Sequence, residues 1–352
     1  MKERARARAW VIRAGRYGER EEWALENGFS GGGWHEVPDL TPYASREEIA
    51  ELVARIYADN PKAHANYTGP LYAHRSRVQP GDLLALPLKN GSGTIALGRV
   101  TGGYRYLGEE MSADRRHVVD VEWKVTDLPR TAVKQDLLYT LGSALTIFAP
   151  SRGAAEQRLQ ALMETGADPG QLAAGRSATG TRTVANDDDV DEPETQTDLL
   201  EVARDRIMTR ISEEFVGDGL EVLVAAVLEA EGFVCRKSPV GADRGIDVIA
   251  GRGVLGMDSP RVVVQVKSGG QVSDGVVRDL SGVVHEQGAD HGLLVAWGGL
   301  TKPAKDNVYT QQFRLRAWTA EDVVDAVLRT YDRLPDDIQS RLPLKRVWVL
   351  AD

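Results

Sequence analysis

Cysteine and long apolar segments are scarce in this sequence of 352 residues. The single cysteine, Cys235, excludes an intrachain disulfide and a cysteine-based zinc site, and it is expected to act as a small buried hydrophobic residue. The longest apolar runs, such as residues 292–297, are too short to cross a bilayer. No apolar stretch follows the basic N-terminus, so the sequence predicts no secretory signal, no membrane partner and a cytoplasmic location.

Positive charge is also in deficit, with 43 Lys and Arg against 52 Asp and Glu and a formal net charge of −9. The deficit is uneven, because residues 1–150 carry 20 basic and 19 acidic residues whereas residues 151–196 carry 4 and 9. A nucleic-acid partner is therefore not excluded, but weak non-specific binding is expected, and specificity must have another source.

The sequence lacks the residue spacing of a histidine metal site and that of a phosphate-binding loop. The six histidines show no metal-ligand spacing. The glycine-rich segments 31–33 and 91–93 lack the Lys-Ser/Thr pair of a phosphate-binding loop. The sequence therefore predicts no nucleoside triphosphate as a ligand.

Residues 1–150 are interpreted as one domain, a small bent β-barrel with covering helices. Short apolar segments separated by glycine-rich turns predict its strands. A helix is predicted over residues 45–60, where Ser45 is the N-cap and Glu48 completes a capping box. The predicted strands cover residues 10–15, 81–88, 94–106 and 117–125.

Two further regions follow. Residues 151–196 combine a helix, roughly 153–165, with a stretch from residue 164 onwards that has almost no large apolar side chain. This composition predicts a flexible acidic linker. Residues 197–352 alternate helix and strand, which predicts an α/β core in which a mixed sheet has helices on both faces.

The segment 241–270 carries the residues suited to catalysis. Asp247 follows a glycine-rich turn at the start of one predicted strand, and Gln265 and Lys267 lie on the next. Alternate residues of a strand share a face, so Gln265 and Lys267 point the same way while Val266 packs into the core. If the two strands pair, the three polar side chains meet at one end of the sheet. Oxygen ligands for Mg²⁺ together with a lysine are what phosphodiester hydrolysis requires.

This arrangement resembles the Mrr-type restriction endonuclease catalytic domain of the PD-(D/E)xK superfamily, in which glutamine replaces the acidic residue of the motif. The matching residues are Asp-Arg-Gly-Ile-Asp at 243–247 and Gln-Val-Lys at 265–267, and the resemblance covers about residues 200–352. It implies a metal-dependent DNA-cleaving hydrolase that uses Mg²⁺, for which Mn²⁺ can substitute. It also implies Glu221 as a further catalytic residue that binds the metal with Asp247 and Gln265. Asp243 is open between a turn former and a ligand.

Residues 10–148 resemble PUA-like or EVE-like domains, which read modified bases, in the order and texture of several short segments. These include the strand around Trp10, the Gly-Gly-Gly-Trp segment 31–34 and the Pro-Gly-Asp-Leu segment 80–83. A domain that extrudes one base needs an aromatic slot and polar groups for the base edge. Core packing is the alternative for every aromatic residue in this set. The candidate base-binding residues are Trp34, Asp39, Trp10, Tyr104 and Trp123, with Tyr106 as a further possible wall.

Together the two resemblances imply a modification-dependent, type IV-like restriction endonuclease that acts on double-stranded DNA and defends against foreign DNA. One active site cuts one strand, so a homodimer is expected for double-strand cleavage. Two alternatives stay open. One is a non-catalytic reader of modified nucleic acid with a degenerate nuclease fold. The other is a nuclease effector that is switched by a small signalling ligand on the N-terminal domain.

Overall fold

The computed structural model describes residues 7–15, 17–89, 93–142, 145–150, 152–171, 199–215, 217–238 and 245–348. The chain divides into two compact units, residues 1–202 and 203–352, which are called the first and the second unit. Within the described residues, no helix is both long enough and apolar enough to span a membrane. The part of the predicted linker at 172–196 lies outside the described residues.

The first unit contains a curled sheet of six strands in the order β2-β5-β4-β3-β1-β6. All pairs are antiparallel except β1 with β3. Three register shifts interrupt the pairing of the two longest strands, and such irregularities bend a sheet. The strands are β1 (Ala9–Ile12), β2 (Phe29–Ser30), β3 (Leu83–Pro87), β4 (Thr94–Tyr106), β5 (His117–Pro129) and β6 (Ile147–Phe148).

Among the described residues, the α-helices that accompany this sheet are α1 (Glu21–Asn27), α2 (Arg46–Ile56), α3 (Pro61–Tyr72), α4 (Gln135–Leu141) and α5 (Ala155–Thr165). The predicted capping box of α2 is confirmed, because Ser45 accepts from the Glu48 N–H and Glu48 accepts from the Ser45 N–H. Helices α1, α3 and α4 were not predicted. Their sequences are short or weakly periodic and do not by themselves predict helices, so packing on the sheet is what stabilises the helical conformation.

The first unit extends beyond α5 into the stretch that the sequence assigns to the linker. Arg158 on α5 is fully buried and donates hydrogen bonds to the carboxylates of Asp136 and Asp168. Asp168 also accepts from the backbone N–H groups of Lys134 and Gly170. A polar, glycine-containing segment is therefore ordered by ion pairing, which hydrophobic content does not reveal.

The second unit contains a mixed sheet of five strands in the order β11-β10-β9-β8-β7. Strands β7, β8 and β9 pair antiparallel, whereas β9, β10 and β11 pair parallel. Strand β8, which begins directly after Asp247, thus pairs with β9, which carries Gln265, so the condition for the two residues to meet is fulfilled. The strands are β7 (Val234–Lys237), β8 (Val248–Arg252), β9 (Asp258–Lys267), β10 (His291–Ala296) and β11 (Leu315–Trp318).

The described residues from Leu199 onwards form the helices α6 (Leu199–Glu214), α7 (Gly219–Ala230), α8 (Asp274–Glu286), α9 (Lys302–Thr310), α10 (Ala320–Thr330) and α11 (Asp336–Arg341). Two separate apolar clusters cover the two faces of the sheet. Val264 and Val266 join the cluster with α7 and α10, whereas Val263 joins the cluster with α8. The predicted α/β architecture is confirmed. Cys235 on β7 is half-buried, and burial raises the pKa of its thiol to about 12, so the thiol stays protonated.

Candidate active site

Asp247 is fixed between two neighbouring strands immediately before β8. Its backbone N–H donates to the carbonyl oxygen of Val264 at 2.9 Å, and its carbonyl oxygen accepts from the Ser238 N–H at 3.0 Å. Its Oδ2 accepts from the backbone N–H of Val266 at 2.6 Å. Two hydrogen bonds fix the Asp247 backbone and one fixes its carboxylate, so the carboxylate has little freedom to turn away from the site.

Gln265 lies on β9 and is only 6% exposed. Its Oε1 atom has no hydrogen-bond partner among the described residues, although a buried amide oxygen normally has one. Gly245 packs directly on this amide, since a Cβ atom there would lie 2.4 Å from Gln265 Nε2. Gly245 also has φ +79°, a conformation that favours glycine. Asp243 and Arg244 lie outside the described residues.

Glu221 lies in the first turn of α7, and its Oε2 is 3.7 Å from the Nζ of Lys237. Burial raises the pKa of Glu221, and the negative charge of Asp247 raises it further. The charge of Lys237 lowers the pKa and offsets part of this repulsion. Glu221 and Asp247 are therefore close enough to repel each other, as two carboxylates that share one cation would be.

Lys237 is a site residue that the sequence analysis missed. It is the last residue of β7, and it pairs with Val248, the residue after Asp247. The spacing of the Asp247–Lys267 motif carries no information about β7. The sequence does show that the strand before Asp247 ends near a lysine. This lysine can be assigned to the site only when β7 and β8 are known to pair antiparallel.

Lys267 is the last residue of β9, and it is half-buried. Val266 is buried in the core, so alternation along the strand places Lys267 on the same face as Gln265. Among the described residues, no carboxylate forms an ion pair with its ammonium group. The structure thus places Asp247, Gln265 and Lys267 at one end of the β8–β9 pair, with Glu221 brought in by α7.

The donor set suits a hard cation. Two carboxylates and the unpartnered amide oxygen of Gln265 are the oxygen ligands that Mg²⁺ and Mn²⁺ accept. Within the described residues there is no group of three or more His, Cys, Asp and Glu side chains that could hold a metal. The amide of Gln265 would therefore have to supply part of the coordination.

In the first unit, Trp34 and Tyr104 belong to one cluster of aromatic rings. Trp34 is 7% exposed, and its ring centroid is 5.8 Å from that of His74 and 6.4 Å from that of His117. Tyr104 is half-buried, and its ring is 5.6 Å from His74. In this conformation Trp34 is a core side chain with little surface open to a ligand.

The three glycines before Trp34 each relieve a different collision. A Cβ atom at Gly31 would lie 1.9 Å from the carbonyl oxygen of His117, and one at Gly32 would lie 2.0 Å from the Trp34 ring. At Gly33 it would lie 2.5 Å from Nη1 of Arg20. The missing side chains of these glycines thus leave space for neighbouring groups of the same protein, so the glycines are not by themselves evidence for a bound ligand.

A hydrogen-bond chain fixes the loop that follows Trp34 to the sheet. The Leu40 N–H donates to Tyr104 Oη at 3.1 Å, and the Tyr104 hydroxyl donates to His117 Nδ1 at 2.9 Å. His117 Nε2–H then donates to the carbonyl oxygen of Val37 at 3.0 Å, which fixes the tautomer of this ring. In the same loop, Asp39 accepts from the backbone and side chain of Thr41.

The two other tryptophans proposed as base-binding residues both donate their indole N–H to a group of the protein. Trp10 is fully buried, and its Nε1–H donates to Asp82 Oδ2 at 2.9 Å. Trp123 is partly buried, and its Nε1–H donates to the carbonyl oxygen of Ala24 at 3.1 Å. In this conformation, both indole N–H groups are already used within the protein and could not donate to the edge of a base.

His74 makes the stability of the first unit dependent on pH. It is fully buried, and burial lowers its pKa from 6.5 to about 3. The unfolded chain therefore binds more protons between these values, and stability falls as pH decreases from about 6.5 towards 3. The protection factors of β4 and β5, which correct hydrogen exchange for the pH dependence of its intrinsic rate, should fall between pH 7 and pH 5. His74→Leu should weaken this dependence, whereas the exposed His35→Leu should not, and equal slopes in both variants would contradict the assignment.

Comparisons with known proteins cover both units. Residues 212–327 match Mrr_cat, a restriction endonuclease family, which confirms the resemblance predicted for the C-terminal part. Residues 10–141 match a domain family of unknown function, DUF8426, so the resemblance to PUA-like and EVE-like domains stays a prediction. No curated protein matches the chain.

Three solved structures are similar to the chain at low identity. The MspJI restriction endonuclease in complex with a 27-mer oligonucleotide is 13% identical over 95% of this chain and 79% of its own, with a TM-score of 0.31. The DNA modification-dependent restriction endonuclease AspBHI is 13% identical over 90% of this chain and 79% of its own, with a TM-score of 0.31. A protein of unknown function, AF1548, is 17% identical over 30% of this chain, with a TM-score of 0.25, and the chain spans 64% of its length.

Proposed function

We propose that this chain, whose residues 212–327 form a restriction endonuclease domain, is a modification-dependent endonuclease that hydrolyses double-stranded DNA. The observation that carries the proposal is the buried, unpartnered Oε1 of Gln265 on the strand whose Val266 N–H holds Asp247. Lys267 ends the same strand, and Glu221 lies within electrostatic reach of Asp247. The proposed role is defence against foreign DNA in the cytoplasm. Because one site cuts one strand, two copies of the chain would act together on a duplex.

Each residue of the site has a distinct task in this proposal. Asp247, Gln265 and Glu221 would hold Mg²⁺, and when bound this ion polarises a phosphate and acidifies a water molecule. Lys267 would orient the attacking water and stabilise the negative charge that develops on the phosphate. The Val266 N–H would keep the Asp247 carboxylate in place, and Lys237 would hold Glu221 near the site by its charge.

The division of labour follows the two units. The second unit, residues 203–352, would cut DNA, while the first unit, which contains the domain predicted over residues 1–150, would select it. Selection is assigned to the first unit because its order of strands and aromatic residues resembles base-reading domains. Trp34, Tyr104, Asp39, Trp10 and Trp123 are the proposed base-binding residues. Since Trp34 is buried, a base could reach it only if the loop over residues 33–41, which contains it, opened. Trp10 is fully buried within β1, so it is the less accessible of the two.

A cleavage test on four matched duplexes examines the whole proposal. The duplexes are unmodified, cytosine-methylated, adenine-methylated and phosphorothioated DNA of one sequence. We expect one modified duplex to be cut in the presence of Mg²⁺, and all four to stay intact when the metal is chelated. Equal cutting of all four duplexes would refute modification dependence. Selective binding without cutting would favour the non-catalytic reader, and activation on unmodified DNA by a small molecule would favour the ligand-switched effector.

A further inference from the structure

Arg20, the residue before α1, carries a nearly buried charge that no described residue pairs. The residue is 9% exposed, and its Nε has no hydrogen-bond partner among the described residues. Within the same residues, no carboxylate lies at ion-pair distance from its guanidinium group. Burial lowers the pKa of this group, although the more distant charges of Asp114 and Glu19 favour its protonated form. A desolvated guanidinium without a partner costs folding free energy.

A second arginine lies beside it. The charge of Arg115 further lowers the pKa of Arg20, so the two cations are close enough to repel each other. The Arg115 guanidinium packs 5.4 Å from the ring centroid of Trp23, and its Nε is also buried without a hydrogen-bond partner. Asp114 Oδ2 is 4.0 Å from that Nε, at the limit of an ion pair. Asp114 therefore reaches Arg115 at the limit of an ion pair, and it acts on Arg20 only over a longer distance.

The surroundings are shaped to keep the two arginines in place. Gly33 leaves room for the Arg20 guanidinium, because any Cβ atom there would lie 2.5 Å from Nη1. Trp23 packs against Phe29 with ring centroids 5.5 Å apart, and Arg105 lies 5.5 Å over the Phe29 ring. This surface alternates arginines with aromatic rings, although Arg105 is neutralised by an ion pair with Asp120.

We infer that Arg20 and Arg115 bind a phosphate group of the DNA backbone. Two guanidinium groups with unused donors offer the forked geometry that phosphate oxygens accept, and an anion between them would remove their mutual repulsion. The identity of the ligand as DNA rests on the proposed function, whereas the anion site rests on the arginine pair alone. A phosphate contact positions the duplex without reading its sequence, which would place the DNA next to the loop that contains Trp34.

The test uses the full chain with Lys267→Ala and no divalent metal, so that DNA is bound but not cut. Affinity for an unmodified duplex is measured across salt concentrations for Arg20→Gln, Arg115→Gln and the control Arg55→Gln, which removes one exposed charge from α2 of the same unit. We expect each site variant to weaken binding about tenfold or more. The slope of log Kd against log salt should fall by roughly one. The control should change neither quantity by this amount.

Several outcomes would overturn the inference. If Arg55→Gln weakens DNA binding as much as the site variants do, the arginine pair contributes only its charge and is not a phosphate site. If the slope of log Kd against log salt is unchanged in the site variants, the pair does not contact the DNA. If Arg20→Gln does not fold, Arg115→Gln decides, because its side chain is 36% exposed. If the chain with both arginines binds neither the unmodified duplex nor any of the modified duplexes, both the proposed function and the DNA assignment fail. Stabilisation by inorganic phosphate that is lost in Arg115→Gln would then identify a different phosphate source. If binding is unchanged, and the same two substitutions in a chain that retains Lys267 leave Mg²⁺-dependent DNA cleavage intact, the inference fails while the proposed function stands.

Discussion

Replacing Lys267 with alanine should reduce DNA cleavage by roughly two or more orders of magnitude, the loss typical of one oriented electrostatic group. Lys267 ends β9 on the face of Gln265, and among the described residues its ammonium group forms no ion pair that folding would lose. Folding and DNA binding should therefore stay close to normal. Cleavage rates under single-turnover conditions, together with the melting temperature, measure both effects.

The matched control for this prediction is Lys302→Ala, since Lys302 is an exposed lysine at the start of α9. Its cleavage rate should be unchanged. Asp247→Ala should lose cleavage as Lys267→Ala does, and calorimetry should also show weaker Mg²⁺ binding, because a proposed ligand is removed. Full activity of Lys267→Ala would show that the catalytic lysine has been wrongly assigned.

Replacing Trp34 with alanine should destabilise the first unit by about 3–5 kcal/mol, the usual cost of truncating a buried aromatic side chain. The Trp34 ring packs against His74, His117 and Gly32, and it is only 7% exposed. Hydrogen exchange in β4 and β5 should accelerate, and the melting temperature of this unit should fall. Trp348→Ala is the matched control, because that tryptophan is fully exposed and its loss should leave stability unchanged.

The same variant separates the two roles considered for Trp34. If Trp34 is a wall of a base pocket, Trp34→Ala should fold normally and weaken modified-DNA binding roughly ten- to a hundredfold, as expected for the loss of one base stack. If it is a core residue, stability falls first. Trp34→Phe retains an aromatic ring in the core, so a loss of base preference in that variant would still indicate a contact with the ligand.

The sequence by itself determined the elements whose information is local. The alternation of apolar and polar residues along β9 placed Gln265 and Lys267 on one face and Val266 in the core. Ser45 and Glu48 determined the start of α2, because both partners of a capping box lie within one helical turn. The strand–helix alternation of residues 197–352 determined the mixed sheet with two covered faces, since each amphipathic element must bury its apolar side.

Tertiary structure alone decided the features that join distant segments. Lys237 meets Glu221 because β7 pairs with β8 while α7 packs on the same sheet, and no local pattern encodes that meeting. Arg158 orders the residues around Asp168 by ion pairing, although their composition had predicted a flexible linker. The loop at residues 31–34, which contains Trp34, folds against Arg20 and β5. Among the described residues, the Arg20 guanidinium still has no carboxylate at ion-pair distance. A side chain's exposure depends on which distant surfaces cover it, and that is settled only when the whole unit packs.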